Sequence, residues 1–155
     1  MKIPRFYVDT SVIGGCFDDE FAEASNRLIE LAGSGACILV VSDTVIRELE
    51  NAPENVRNLL ESLPGSCVER VAEDNEIYDL RDAYLEAHIL GERWLDDLTH
   101  VATATVYRAD AIVSWNFKHI VRFDKMKAYN QVNLFNGYGI LTIISPMEVM
   151  ADDDD

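Results

Sequence analysis

The sequence predicts an α/β sandwich of three layers around a central, mainly parallel five-stranded sheet. Short apolar segments rich in β-branched residues alternate with longer segments whose apolar residues recur every three or four positions. Hydroxyl residues, Pro and Gly mark the boundaries between these segments, and no internal repeat interrupts them. Strands that are separated by helices require crossover connections, which give parallel sheets with helices on both faces.

Each predicted element follows from its local pattern. The strands are short and apolar, and they cover residues 6–8, 37–41, 66–71, 111–114 and 140–144. The helices have one apolar face, and they cover residues 20–32, 43–51, 53–63, 73–90, 94–107 and 119–129. Ser42 is suited to cap the second helix and Pro53 to begin the third, whereas Gly14 and Gly15 predict a turn after the first strand.

Length and composition indicate one globular domain. The chain has 155 residues, of which 48% are apolar, and this is enough for a stable core. We expect a single domain over residues 1–150 and a disordered acidic tail over residues 151–155.

Apolar runs are too short to span a bilayer and the N-terminus lacks the apolar region of a signal peptide, so we expect no membrane contact and a cytoplasmic location. Three cysteines without a CxxC spacing favour reduced thiols.

The formal net charge of −15 predicts weak non-specific binding to nucleic acid, or a basic partner that covers part of the surface. The few basic or titratable side chains include one local cluster, which comprises Lys118, His119, Arg122, Lys125 and Lys127. Such a cluster is either a solvated face or a surface that binds RNA phosphates, and the sequence leaves both open.

Acidic and amide side chains are predicted to meet at the carboxyl edge of the sheet. Asp9 directly follows the first strand, Glu48 lies on the helix after the second, Asp97 begins the helix before the fourth, and Asn116 follows that fourth strand. Three carboxylates in one cleft repel one another unless a hard divalent cation such as Mg²⁺ or Mn²⁺ binds between them. The spacing alone also fits plain structural roles, in which the acids occupy a turn, a solvated helix face and a helix N-terminus.

Four segments together resemble the PIN-domain family. Residues 7–13 (YVDTSVI) are similar to its opening strand, which delivers an Asp followed by a small hydroxyl residue. Residues 42–49 (SDTVIREL) resemble the second motif, which supplies a Glu, and residues 97–104 (DLTHVATA) resemble the third, an Asp that opens an Ala-rich helix. Residues 110–120 (DAIVSWNFKHI) are similar to a variant of the fourth motif. The four segments occur in the family's order through nearly the whole chain.

This resemblance implies a PIN-like fold and an endoribonuclease that hydrolyses single-stranded or structured RNA with Mg²⁺ or Mn²⁺. Asp9, Glu48 and Asp97 would be the metal ligands, with Asn116 as a further catalytic residue. Small members resemble VapC toxins, which are commonly homodimers inhibited by an antitoxin protein. Many members have an acid where this chain has Asn116, so the resemblance implies one tightly held ion, with the amide contacting it through water.

Several side chains near the expected site carry two readings. The predicted substrate contacts are Thr10, Ser11, Lys118, His119 and Arg122. For His100 we favour a core position beside the site over substrate contact, and for Trp115 we favour packing over base stacking. For Asp124 we favour a position on a helix surface over a role in replacing the acid that many family members have at the position of Asn116. A rival function also stays open, in which a catalytically weak or inactive PIN-like module binds RNA or an antitoxin without cutting.

Overall fold

The computed structural model describes residues 2–149, so the predicted acidic tail over residues 151–155 lies outside the described part. Within residues 2–149 the chain forms five strands and eight α-helices. The strands are β1 (Arg5–Val8), β2 (Ile38–Ser42), β3 (Val68–Val71), β4 (Ala111–Val113) and β5 (Ile143–Ile144). The helices are α1 (Thr10–Gly15), α2 (Ala22–Gly33), α3 (Asp43–Glu50), α4 (Glu54–Glu61), α5 (Asn75–Glu86), α6 (Leu95–Val106), α7 (Phe123–Phe135) and α8 (Pro146–Val149).

The strands form one sheet in the order β3-β2-β1-β4-β5, and every neighbouring pair is parallel. The predicted five-stranded parallel sheet is therefore confirmed. In the central strand, Tyr7 and Val8 are successive residues and both are fully buried. Successive side chains of a strand point to opposite faces, so helices cover both faces of the sheet. Among residues 2–149, no helix combines the length and apolar character needed to cross a membrane.

The helix α3 begins as its sequence predicts. The Ser42 hydroxyl accepts a hydrogen bond from the Val45 backbone N–H at 3.3 Å, which satisfies one of the free donors of the first turn. This cap places α3 directly after β2, so that its later residues lie over the carboxyl edge of the sheet.

The turn predicted at Gly14 and Gly15 is wrong, because both residues lie in α1. The reason is close packing. A Cβ atom added at Gly15 would lie 2.7 Å from Ser25 Oγ and 2.8 Å from Trp115 Nε1, whereas one at Gly14 would meet nothing within 4 Å. Glycine at position 15 therefore reflects the close approach of α1 to α2 and to Trp115 rather than a break in the chain.

Helix α7 begins later than predicted and is longer. The sequence predicted it over residues 119–129, but it covers Phe123–Phe135. The segment after β4 is held in a loop because Asn116 accepts four backbone hydrogen bonds. Its backbone oxygen accepts from Ile120 and Val121, and its side-chain oxygen accepts from Lys118 and His119.

The remaining differences lie at element ends. Helix α5 was predicted over residues 73–90 but ends at Glu86, and His88 adopts a left-handed conformation with φ of 60°. This reversal buries the apolar residues Ile89 and Leu90. Strand β5 is shorter than predicted, and α8 was not foreseen. In α8, Glu148 accepts a hydrogen bond from the Ser145 backbone N–H at 2.9 Å and stabilises the first turn.

Candidate active site

Polar side chains gather where the two central strands β1 and β4 end. Val8 and Val113 are the last residues of these strands and are register partners in the sheet. Asp9 and Ser114 follow them directly, so their side chains meet at the carboxyl edge. Such an edge is the usual binding position of open α/β sheets.

Asp9 lies at the centre of this edge and is 4% exposed. Its Oδ1 accepts a hydrogen bond from the Ser11 hydroxyl and its Oδ2 accepts one from the Ser114 hydroxyl, both at 2.6 Å. Asp9 occupies the N-cap position of α1, but its carboxylate does not cap that helix. Both oxygens are held instead by hydroxyl groups from two different segments.

Burial has a clear electrostatic consequence for Asp9. Desolvation is the largest influence and raises the pKa of Asp9, and the negative charge of Asp97 adds to this. The charge of His100 and the two serine hydroxyls offset only part of the increase. The ionised carboxylate of Asp9 is therefore held at a free-energy cost, as is common where a group is arranged for function.

Glu48 lies on α3, and its side chain is 30% exposed. Its Oε1 accepts a hydrogen bond from the Thr10 hydroxyl at 2.7 Å and one from His100 Nε2 at 2.9 Å. Desolvation is the largest single influence and acts to raise the pKa of Glu48, but the bonds and charges of His100, with Thr10 and Arg47, outweigh it and lower the pKa. Glu48 is therefore ionised at neutral pH.

Asp97 lies in the first turn of α6, and its side chain is 20% exposed. Its Oδ2 accepts hydrogen bonds from His119 Nδ1 at 2.7 Å and from Asn116 Nδ2 at 3.3 Å. The imidazole of His119 also packs on the ring of Trp94, with the centroids 4.4 Å apart. Asp97 is thus held by two donors from the loop after β4.

His100 lies in the electrostatic field of all three acids. Burial, the largest influence, lowers its pKa, but the hydrogen bond to Glu48 and the negative charges of Asp9, Glu48 and Asp97 outweigh burial and raise the pKa of His100. The fold therefore brings these acids to one region. Within residues 2–149, however, no three His, Cys, Asp or Glu side chains are close enough together to hold a metal ion.

The other predicted site residues have defined positions. Thr10 and Ser11 donate their hydroxyl hydrogens to Glu48 and Asp9. Arg122 is exposed and forms a bidentate pair with Asp124 at 2.7 and 2.9 Å, which places Asp124 on a surface as expected. Besides Arg122, two further members of the predicted basic cluster have partners: His119 bonds to Asp97, and Lys125 donates to the Ile89 backbone oxygen at 2.6 Å.

The expectations for two buried rings are confirmed. His100 is 2% exposed and lies in the core beside the acids. Trp115 packs within the fold: its Nε1 donates to Ser25 Oγ at 2.8 Å, and its ring stacks on Phe21 with the centroids 4.2 Å apart. Asp96, the neighbour of Asp97, is exposed and pairs with Arg47 at 2.8 Å.

Two contributors to this edge were not singled out from the sequence. Ser114 holds Asp9, and Tyr7 holds His100 through a hydrogen bond of 2.7 Å to Nδ1. Ser114 directly follows β4 and stands two residues before Asn116, so two polar residues just after a buried strand were the available signal. Tyr7 gives no such signal, because an aromatic residue within an apolar strand is indistinguishable from core.

Comparison with known proteins gives a result at the level of the fold. No family model matches the chain, and no curated protein matches it. Among solved structures, a chain of VapBC2 from Rickettsia felis, crystallised bound to a DNA fragment from their promoter, superposes with a TM-score of 0.57 and 15% identity. The match covers 91% of this chain and 98% of that one. The fold is PIN-like.

A second solved structure has a lower similarity. It is VapC20 from Mycobacterium tuberculosis, described as a toxin that cleaves the sarcin-ricin loop, with a TM-score of 0.49 and 17% identity. That match covers 74% of this chain and 92% of the other. The PIN-like fold predicted from the four sequence segments is confirmed by the Rickettsia felis structure together with the parallel sheet.

Proposed function

We propose that this chain is a VapC-like endoribonuclease that hydrolyses phosphodiester bonds of RNA with a divalent cation, Mg²⁺ or Mn²⁺. The observation that carries the proposal is the buried carboxylate of Asp9 at the carboxyl edge, with Glu48 and Asp97 close enough to act on the same imidazole. The likeness of the fold to a VapBC2 chain supports this assignment.

The chemistry of the donor set suits a hard cation, and the three carboxylates would have to come closer together to bind one. Asp9, Glu48 and Asp97 offer carboxylate oxygens, which are the preferred ligands of Mg²⁺ and Mn²⁺. Among the described residues, none donates a hydrogen bond to Oε2 of Glu48 or Oδ1 of Asp97, so these two oxygens are available. When bound, such a cation would polarise a phosphoryl oxygen and lower the pKa of a water molecule.

The protein's own groups act by holding the carboxylates in place. Ser11 and Ser114 orient Asp9, and Thr10 fixes one oxygen of Glu48. Asn116 donates to Asp97 while its own oxygen accepts two backbone N–H groups, so we propose that it acts on the ion through Asp97. Water would be the nucleophile: its oxygen bonds to phosphorus, the bond from phosphorus to the leaving ribose oxygen breaks, and the proton that water releases ends on that ribose oxygen.

Substrate and partner assignments follow from charge. We propose that Lys118, exposed on the loop after β4, contacts an RNA phosphate, because the Arg122 guanidinium is already paired with Asp124. The net charge of −15 suits a basic antitoxin, and the similar structure is a VapBC2 assembly. We further propose that the chain forms a homodimer, which light scattering coupled to size-exclusion chromatography tests directly.

The nuclease assignment is tested with purified protein and a mixed RNA pool. We expect cleavage in Mn²⁺ and none in EDTA, with loss of cleavage in Asp9→Asn. Asp19→Asn, a matched change at an exposed position, should cleave like the wild type. Retention of RNA without cleavage would identify a binding module instead, and cleavage that is equal in EDTA would rule out cation dependence.

A further inference from the structure

A row of buried hydrogen bonds connects the Glu48 carboxylate to the interior of the sheet. Its Oε1 bonds to His100 Nε2 at 2.9 Å, and His100 Nδ1 bonds to the Tyr7 hydroxyl at 2.7 Å. The Tyr7 hydroxyl bonds in turn to Ser42 Oγ at 2.8 Å, and Ser42 accepts from the Val45 backbone N–H. The row joins β1, the end of β2, α3 and α6.

The direction of these bonds follows from the chemistry of the groups. A carboxylate accepts hydrogen bonds but cannot donate them, so His100 Nε2 carries a hydrogen and donates it to Glu48. In the neutral ring Nδ1 then accepts from the Tyr7 hydroxyl, whose oxygen accepts from Ser42. In the charged ring Nδ1 donates to Tyr7 instead. The bond from Nε2 to Glu48 is therefore present in either state of the ring.

The hydrogen bonds of this row allow its members to be buried. Tyr7, Ser42 and His100 are all 2% exposed or less, and a buried polar group costs free energy unless it is hydrogen-bonded. No buried side-chain nitrogen or oxygen of the described residues lacks a partner, so the row is complete. It ends at Glu48, whose side chain is 30% exposed at the carboxyl edge.

We propose that His100 and Tyr7 are positioning residues for the candidate metal site: Tyr7 fixes the imidazole of His100, and His100 fixes Oε1 of Glu48 so that Oε2 is presented to the ion. This inference rests on the proposed function, because a positioning role requires an ion to bind. The hydrogen bonds of the row do not depend on that function. Removal of a residue that hydrogen-bonds to a metal ligand typically lowers metal affinity 10–100-fold.

Two substitutions at position 100 separate the ends of the ring. In His100→Gln the amide nitrogen lies near the place of Nε2 and can still donate to Glu48. In His100→Asn the amide lies near Nδ1, so the side chain keeps a group beside Tyr7 but loses the bond to Glu48. We expect His100→Asn to weaken Mn²⁺ binding, measured by calorimetry, about 10–100-fold, and His100→Gln to retain most of the affinity. Tyr7→Phe should weaken it by a smaller factor.

A measurement without metal keeps the inference independent of the nuclease proposal. In metal-free wild-type protein labelled with ¹⁵N-histidine, NMR should show a His100 Nε2–H proton that is protected from exchange and shifted downfield by the carboxylate. The shift should decrease in Glu48→Gln, because an amide oxygen is a weaker acceptor. Thermal unfolding identifies any variant that does not fold. If His100→Asn does not fold, the Mn²⁺ affinity of Tyr7→Phe and the NMR spectrum of the wild type test the proposal.

The outcomes are distinct. Absence of the protected Nε2–H proton, or equal Mn²⁺ affinity in folded His100→Asn and wild type, would overturn the positioning roles. Failure of the wild type to bind Mn²⁺ would overturn the proposed function, while the NMR signature would still support the row of hydrogen bonds.

Discussion

The side-chain amide of Asn116 donates to Oδ2 of Asp97 at 3.3 Å. Its oxygen is turned away and accepts the backbone N–H groups of Lys118 and His119. A carbonyl oxygen has two lone pairs, and both are used here. An amide at this position therefore does something that a carboxylate could not do, because it donates to the neighbouring acid.

The first prediction concerns Asn116→Asp. The new oxygen would face Oδ2 of Asp97, and the repulsion should lower the free energy of unfolding at pH 7 by about 1–3 kcal/mol. A divalent cation offsets such repulsion, so Mn²⁺ should raise the Tm of this variant more than that of the wild type. Differential scanning calorimetry with and without Mn²⁺ measures both effects.

Asn58→Asp is the matched control for that prediction. Asn58 is exposed on α4, so this variant adds the same charge away from the acids. If Asn116→Asp unfolds like Asn58→Asp in both buffers, the bond between Asn116 and Asp97 has no energetic importance.

The second prediction uses the raised pKa of Asp9. Between the unfolded and the folded pKa, the folded protein binds more protons than the unfolded chain, so stability falls as the pH rises through this window. Asp9→Asn removes the titration. At pH 7 the variant should be more stable than wild type by about 0.5–2 kcal/mol, although it loses cleavage.

The check is a series of urea denaturation curves from pH 3 upward. The stability advantage of Asp9→Asn should decrease as the pH falls through the raised pKa of Asp9, and it should be lost below the unfolded value of about 4, where the wild-type carboxyl is protonated in both the folded and the unfolded state. The exposed control Asp19→Asn should show no such dependence. A variant that is less stable than wild type at pH 7 would contradict the electrostatic account of Asp9.

Much of the site could be predicted because each acid has a fixed relation to a strand or helix end. Asp9 follows a buried strand, and Asp97 opens an Ala-rich helix, so their positions depend on patterns that a single sequence contains. Their partners depend on contacts between distant segments. Ser114 lies 105 positions from Asp9, and nothing near either residue indicates their hydrogen bond.

The basic cluster shows the opposite limitation. Its charges are adjacent in sequence, but the fold assigns them different partners. Arg122 forms an ion pair with Asp124 two residues away, and His119 is buried and bonds to Asp97. Side-chain pairing depends on loop geometry, which composition and periodicity do not specify.

The third prediction separates these basic residues. Lys118→Ala should weaken RNA binding. The slope of the logarithm of the binding constant against the logarithm of the salt concentration should decrease in magnitude by about one, because one phosphate contact is lost. Arg122→Ala should have a smaller effect, since its guanidinium already pairs with Asp124. Fluorescence anisotropy with labelled RNA at several salt concentrations measures both, in protein that also carries Asp9→Asn to prevent cleavage. Equal losses in the two variants would show that Arg122 leaves Asp124 to bind RNA.

The last prediction concerns the close approach at Gly15. In Gly15→Ala the new methyl group would lie 2.7 Å from Ser25 Oγ and 2.8 Å from Trp115 Nε1, two atoms that are hydrogen-bonded to each other. Neither can move without disturbing that bond, so we expect a loss of about 1–3 kcal/mol in the free energy of unfolding. Gly14→Ala is the matched control in the same helix, where the methyl group meets nothing within 4 Å and should be neutral or stabilising. Chemical denaturation of the two variants decides the matter, and equal stability of the pair would mean that α1, α2 and Trp115 do not pack as closely as the structure shows.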